Sequence, residues 1–248
     1  MNRILMLGCC MVLAMGCATA PRTLPQAATR TDVRASTATW QEIGPNIKPD
    51  PDVEAVIQPY REQLNAEMGR VIGHTETDLV KGGAESTLGN FVTDVLLETA
   101  RKFGEVDCAI TNSGGLRSPI FKGDIRIGDV FQLMPFENYV VIAEFNGPDF
   151  LALLREIAEK GGEPIAGLTI VSTGGIVTAY VGDQEVVEHR TYRVSTIDYL
   201  LKGGGRLETM SRGRLVKDTG VLLREAIIDY VEKKKTITAK IEGRMIIQ

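Results

Sequence analysis

Residues 139–145 read Tyr-Val-Val-Ile-Ala-Glu-Phe, a run dense in β-branched and aromatic side chains, and the chain then turns through Gly147-Pro148-Asp149. Phe150, Leu153, Leu154 and Ile157 follow at three- and four-residue spacing until Gly161-Gly162. This predicts a strand that passes directly into a helix with one apolar face, stopped by glycine. Around this pair the pattern switches repeatedly between the two periods. Asp50-Pro51 reads as an N-cap and a first-turn proline ahead of Val53, Val56, Ile57, Tyr60 and Leu64, and predicts a helix. A strand is expected at about 70–78, a second helix on Leu88, Phe91, Val92, Val95 and Leu96, and a short strand at 106–111. Further strands are expected at 168–171, 176–181 and 192–197, a last helix from about Gly220 to Lys234, and a closing strand at 245–247. Helices and strands mix without strict alternation, which points to an α+β fold, a layered mixed sheet with flanking helices, over a doubly wound parallel sheet.

The 248 residues are enough for one domain with appendages, and a formal net charge of −4 supplies no basic field for nucleic acid. The N-terminus carries its own signal. Arg3 precedes an almost wholly apolar run from Ile4 to Met15, too short to span a membrane and suited to export. Leu13-Ala-Met-Gly-Cys17 is similar to a bacterial lipobox, so residues 1–16 are expected to be a lipoprotein signal peptide and Cys17 the lipidated residue, anchoring the chain to the outer membrane or the periplasmic face. Cleavage after Ala18-Thr-Ala20 is the alternative, and would release a soluble periplasmic protein. Residues 17–49, rich in Ala, Thr, Pro and Arg, are expected to be a flexible tether, with Trp40 where docking begins and the folded domain at 50–248. Once Cys9 and Cys10 leave with the signal and Cys17 carries lipid, Cys108 is left alone in an apolar strand, a small buried hydrophobe and not a nucleophile.

Four motifs stand in order along the remainder: Glu85-Ser-Thr-Leu-Gly-Asn90, Asn112-Ser-Gly-Gly-Leu-Arg117, Pro135-Phe-Glu-Asn138, and Thr196-Ile-Asp-Tyr-Leu-Leu-Lys-Gly-Gly204. From about Gly69 onward the chain resembles the C-terminal, substrate-binding domain of the 5'-nucleotidase family. The resemblance implies a nucleotide pocket in which two aromatic rings sandwich the base, an asparagine reads its edge and arginines hold phosphate. Those residue types suit that chemistry, because base stacking is worth ~1–3 kcal/mol and tolerates different bases, and guanidinium forks match phosphate oxygens. Position by position, the resemblance implies substrate contacts at Arg117, Phe136, Asn138 and Tyr199. Asn112, Gly114, Gly115, Gly203 and Gly204 are expected to shape loops. Each contact residue has a plainer reading beside it. Arg117 suits a surface after a tight turn, Phe136 and Tyr199 core packing, and Asn138 a turn cap.

Two departures stand out. Where the family places an arginine three residues before the motif glutamate, this chain has Gly82, with Lys81 the nearest cation. Where it often places an acidic residue after the glycine pair, this chain continues Gly205-Arg206. The base sandwich therefore survives better than the phosphate clamp, and a nucleoside or base is expected to be bound in preference to a nucleotide.

The family's phosphatase half uses two metal ions held by aspartates, an asparagine and histidines. This sequence has two histidines, His74 and His189, both expected on exposed faces, so no metal, cofactor or catalytic residue is expected in these residues. Ser113 lacks the flanking pattern of a nucleophile elbow, and Asp198 and Glu208 are unsupported as an acid/base pair. The resemblance thus implies a nucleoside- or nucleotide-binding domain working with a metallophosphatase on a separate chain. A non-enzymatic nucleoside-binding envelope lipoprotein and a fold retained for envelope structure are the alternatives.

Overall fold

The computed structural model describes Gly44 and residues 47–248; the expected signal peptide, Cys17, Trp40 and most of the tether lie outside the described residues. The elements are α1 (Pro51–Met68), β1 (Val71–Thr75), α2 (Thr87–Arg101), β2 (Cys108–Ile110), β3 (Gly123–Arg126), α3 (Ile127–Leu133), β4 (Tyr139–Asn146), α4 (Gly147–Glu159) and β5 (Ile165–Ala166). They continue with β6 (Leu168–Thr173), β7 (Ile176–Val181), β8 (Gln184–Glu185), β9 (Thr191–Ile197), α5 (Asp198–Leu201), β10 (Arg214–Leu222), α6 (Leu223–Lys234), β11 (Thr236–Ile237) and β12 (Met245–Ile247). The strands form a five-stranded sheet in the order β10-β4-β9-β2-β5, a four-stranded sheet β12-β6-β7-β8 and a three-stranded sheet β11-β1-β3. This is an α+β fold of mixed sheets and helices.

The five-stranded sheet is covered on both faces, and β4 shows why its sequence reads as continuous apolar residues. Val140, Val141, Ile142 and Ala143 are all buried, which a strand with one wet face does not allow. Successive side chains point to opposite faces. Phe145 shares its face with its neighbour Tyr192 on β9, and both pack on Phe150 of α4; the Phe150 and Tyr192 rings stack with centroids 4.5 Å apart. Ile142 and its partner Ser195 face the other way, where the Ser195 hydroxyl donates to the Leu96 carbonyl of α2. The sheet therefore lies between α2 and α4. In α2 the expected face of Leu88, Phe91, Val92, Val95 and Leu96 is buried, and in α4 so are Phe150, Leu153, Leu154 and Ile157.

The Glu85–Asn90 motif has a structural role. Ser86 caps α2 by accepting from the Gly89 N–H at 3.1 Å. The Glu85 carboxylate accepts from the Asn90 side chain and from the N–H groups of Glu242 and Arg244, at 2.6, 2.7 and 2.9 Å. Burial works to raise its pKa, and these hydrogen bonds outweigh burial and hold it below the usual carboxylate range. Arg244 closes the C-terminal segment with a two-point contact on Asp94 at 2.8 and 2.9 Å. That leaves Met245–Ile247 alongside β6 as a parallel strand.

Among the elements that the sequence pattern does not announce are β3, α3 and β10. The last helix starts at Leu223, three residues after Gly220, because residues 214–222 pair with β4 first. α1 starts where Asp50 and Pro51 predict, with the Asp50 carboxylate accepting from the Asp52 and Val53 N–H groups. Its apolar stripe of Val53, Val56, Ile57, Tyr60 and Leu64 is exposed. Cys108 is fully buried in β2, where burial and the neighbouring Asp107 push its thiol pKa well up and leave it unreactive.

Candidate functional site

Strands β2 and β9 run parallel, Cys108 facing Val194 and Ala109 facing Ser195, so both end at one edge of the sheet. β4 and β5 run against them and begin at that edge. Four segments distant in sequence therefore converge: 112–117 after β2, 136–138 before β4, 160–163 before β5, and 199–206 after β9. Between them lies a cavity of about 570 Å³, within the usual range for small-molecule sites.

The segment after β2 forms a tight turn at Ser113–Gly115. A Cβ at Gly114 or Gly115 would come within 3.3 or 3.1 Å of the Asn112 amide, so the glycines leave room for that side chain to fold over the turn. Asn112, Gly114 and Gly115 all line the cavity. The Asn112 Oδ1 atom is buried and has no hydrogen-bond partner among the described residues. The Ser113 N–H donates to the buried Glu163 carboxylate at 2.6 Å, which fixes the turn from the β5 side. Arg117 follows and lines the cavity, its backbone N–H on the Leu133 carbonyl at 2.8 Å and its guanidinium 3.3 Å from the Gly114 carbonyl.

Asn138 and Tyr199 leave the sheet as neighbours, because Val140 pairs with Ile197 in the β4–β9 register. The Asp198 carboxylate locks the two strand ends together by accepting from the Tyr139 N–H at 2.9 Å. Phe136 and Tyr199 are 43% and 48% exposed. Neither ring is core packing; both are walls of the cavity, with the buried Asn138 beside them. Gly204 explains how Tyr199 is seated, since a Cβ there would lie 2.4 Å from the ring. Gly203 has φ +85° and turns the chain without lining the cavity.

Lys160, Gly162, Glu163, Gly205 and Arg206 also line the cavity. Lys160 and Glu163 carry no sequence signal, since they read as the end of a helix and a polar loop. Arg206 is visible only as a departure from the family pattern. Its loop hangs on Glu156 of α4, whose carboxylate accepts from the Glu208 and Thr209 N–H groups at 2.8 and 2.9 Å and from Lys160. Lys160 also donates to the Arg206 carbonyl. Lys81 and Gly82 line a smaller cavity of about 50 Å³ next door, which shares Ser113, Gly162 and Glu163 with the main one. The Lys81 ammonium lies 3.5 Å from the Ser113 carbonyl. His74 is half-buried in β1 beside Asp124, and His189 is exposed.

The 5'-nucleotidase, C-terminal domain model matches residues 71–212, more than half of the chain. The chain belongs to the 5'-nucleotidase C-terminal domain family. This family domain is 26% identical over 226 residues to the trifunctional nucleotide phosphoesterase protein YfkN of Bacillus subtilis, covering 82% of this chain and 16% of that protein. It is also 26% identical over 203 residues to protein UshA of Yersinia enterocolitica, covering 78% of this chain and 36% of that one. A 5'-nucleotidase precursor from Thermus thermophilus superposes with a TM-score of 0.67 at 28% identity, over 79% of this chain and 43% of its own length. The chain thus spans less than half of each of these relatives.

The Glu156 brace makes the 5'-nucleotidase C-terminal domain acid-sensitive in a defined window. Burial works to raise the Glu156 pKa, but hydrogen bonds from Lys160, Thr209 and Glu208 prevail and lower it from 4.5 to about 2. A depressed folded pKa contributes stability that is complete above the unfolded value and is lost as pH falls through the folded one. Glu156→Gln should therefore have a lower melting temperature than wild type above pH 4.5. Scanning calorimetry should show that gap closing between pH 4.5 and about 2. A gap independent of pH would show that the charge on Glu156 does not hold the loop.

Proposed function

We propose that the domain binds a nucleotide, with the base stacked between Phe136 and Tyr199, Asn138 on the base edge and Arg117 on the phosphate. The observation that carries this reading is two half-exposed aromatic rings beside a buried asparagine and an arginine on one cavity. Apolar rings left in water cost free energy that a stacked base recovers, at ~1–3 kcal/mol per base. The asparagine amide offers both donor and acceptor to a base edge, and the fork of Arg117 matches phosphate oxygens.

The rival reading, a nucleoside without phosphate, rests on Gly82 standing where the family has an arginine. Arg206 on the same cavity supplies a second guanidinium and favours a phosphorylated ligand. The reading extends to nucleotide breakdown in the bacterial envelope, with this domain lipid-anchored through Cys17. The two divalent metals that phosphate-ester hydrolysis uses in this family would then be held by a metallophosphatase on a separate chain. Among the described residues no helix is long and apolar enough to cross a membrane.

Titration calorimetry with AMP and adenosine tests the binding reading. Phe136→Ala and Tyr199→Ala should each weaken AMP about 5- to 150-fold, the range of one lost stacking contact. Arg117→Gln should weaken AMP and leave adenosine nearly unaffected. Wild-type affinity for AMP in both ring variants would refute it. The partner reading predicts that a purified envelope metallophosphatase lacking this domain releases phosphate from AMP faster when this chain is added. An unchanged rate, with no association of the two chains, would count against it.

A further inference from the structure

A carboxylate lines the cavity, and none of the four motifs contains it. Glu163 precedes β5, where the chain is stitched to β2 and the turn after it. Ala109 and Ile110 pair with Ala166 and Ile165, the Thr111 N–H donates to the Pro164 carbonyl at 3.1 Å, and the Ser113 N–H donates to Glu163 Oε2 at 2.6 Å. Gly162 fixes the approach, with φ +103° and a Cβ that would lie 2.6 Å from the Ala84 carbonyl oxygen. The Glu163 residue is buried, at 9% exposure. Among the described residues its Oε1 atom accepts no hydrogen bond and the carboxylate forms no ion pair, since Lys160 is on Glu156 and Lys81 lies 3.5 Å from the Ser113 carbonyl. An ionised carboxylate can accept about four hydrogen bonds, and a buried one left short of partners costs free energy. Glu163 therefore meets a ligand as an acceptor with open positions.

Strand order places that acceptor relative to the rings. The order at this edge of the sheet is β4, β9, β2, β5. Asn138 stands at the start of β4, Tyr199 follows β9, and the Glu163 carboxylate sits on Ser113, which follows β2. Asn138 and the carboxylate are thus two strand spacings apart, about 10 Å, with the Tyr199 strand between them. A base stacked on Tyr199 with one edge on Asn138 turns its opposite side to Glu163. That side does not carry the phosphate, because like charges repel strongly where water is scarce. An amide reads the Watson–Crick or Hoogsteen edge, and the side that remains is the sugar edge. It carries the ribose 2' hydroxyl and, in guanine, a 2-amino donor, whereas adenine presents only the N3 acceptor there.

We propose that Glu163 is a specificity-determining residue of this cavity, accepting a hydrogen bond from a donor on the sugar edge of the bound nucleotide. Two groups supply that chemistry, the ribose 2' hydroxyl and the 2-amino group of guanine. The inference rests on the base-stacking reading above and narrows its ligand to a ribonucleotide or a guanine nucleotide. A 2'-deoxyadenosine nucleotide offers neither donor and leaves the buried carboxylate short of a partner.

Titration calorimetry on the full chain with two ligand pairs tests it: AMP against 2'-deoxy-AMP, which differ in the hydroxyl, and GMP against IMP, which differ in the amino group. In wild type at least one pair should differ by about tenfold or more in favour of the donor-bearing member, the effect of one hydrogen bond to a charged acceptor. Glu163→Gln keeps an oxygen for the Ser113 N–H and loses the charge, so the ratio within that pair should fall close to one. Glu163→Asp, which keeps the charge on a shorter stem, should retain part of it. The pair that responds identifies the donor. A merely structural loss would weaken both members of a pair alike and leave the ratio standing. Equal affinities within both pairs in wild type would overturn the role of Glu163 while leaving the stacking reading intact, and so would a preference that survives in Glu163→Gln. Failure of all four nucleotides to bind would overturn the stacking reading, and this inference with it.

Discussion

The parallel pairing of β2 with β9, flanked by antiparallel β4 and β5, decides where this domain has a site at all. Parallel neighbours end at the same edge, and antiparallel neighbours begin there. The result is four loops, drawn from between Asn112 and Arg206, that open on one cavity. Ligand sites at the ends of sheet strands are a general consequence of such convergence. Here α2 and α4 cover both faces of the sheet that supplies it.

On that edge, small backbone facts set the chemistry. Tyr199 stands where it does because Gly204 offers no Cβ to collide with its ring. Asn138 and Tyr199 are held as neighbours by the carboxylate of Asp198 on the Tyr139 N–H. Glu163 lines the cavity with one carboxylate oxygen held on the Ser113 N–H at 2.6 Å. Besides it the cavity offers a ligand two aromatic faces, the amides of Asn112 and Asn138, and two guanidiniums. That inventory is the support for the proposed phosphorylated ligand over a neutral nucleoside.

Much of this is legible in the sequence where local pattern and tertiary burial agree. The helix faces of α2 and α4 read clearly because every periodic apolar residue named in them is buried. β10 does not, because it lies at the sheet's edge and its first five residues, Arg214 to Asp218, are all exposed, which leaves no alternation to read. α1 reads as an amphipathic helix and is one, yet its apolar stripe is exposed, so periodicity gives the helix without telling what covers it. Within the site, Arg117, Phe136, Asn138 and Tyr199 are reachable through motif resemblance, and their shared cavity follows from strand order. Lys160, Glu163 and Arg206 are not, because each arrives there through a contact between segments far apart in sequence, Glu163 with Ser113 and Lys160 with Arg206.

The central claim is that the edge of the five-stranded sheet is a nucleotide site organised by two rings and an arginine. A crystal structure of the chain grown with saturating AMP tests it most directly. The account predicts the adenine ring between Phe136 and Tyr199, the Asn138 amide on its edge, and the phosphate within hydrogen-bond distance of the Arg117 guanidinium. An AMP molecule bound elsewhere, with the cavity left to solvent, would contradict it.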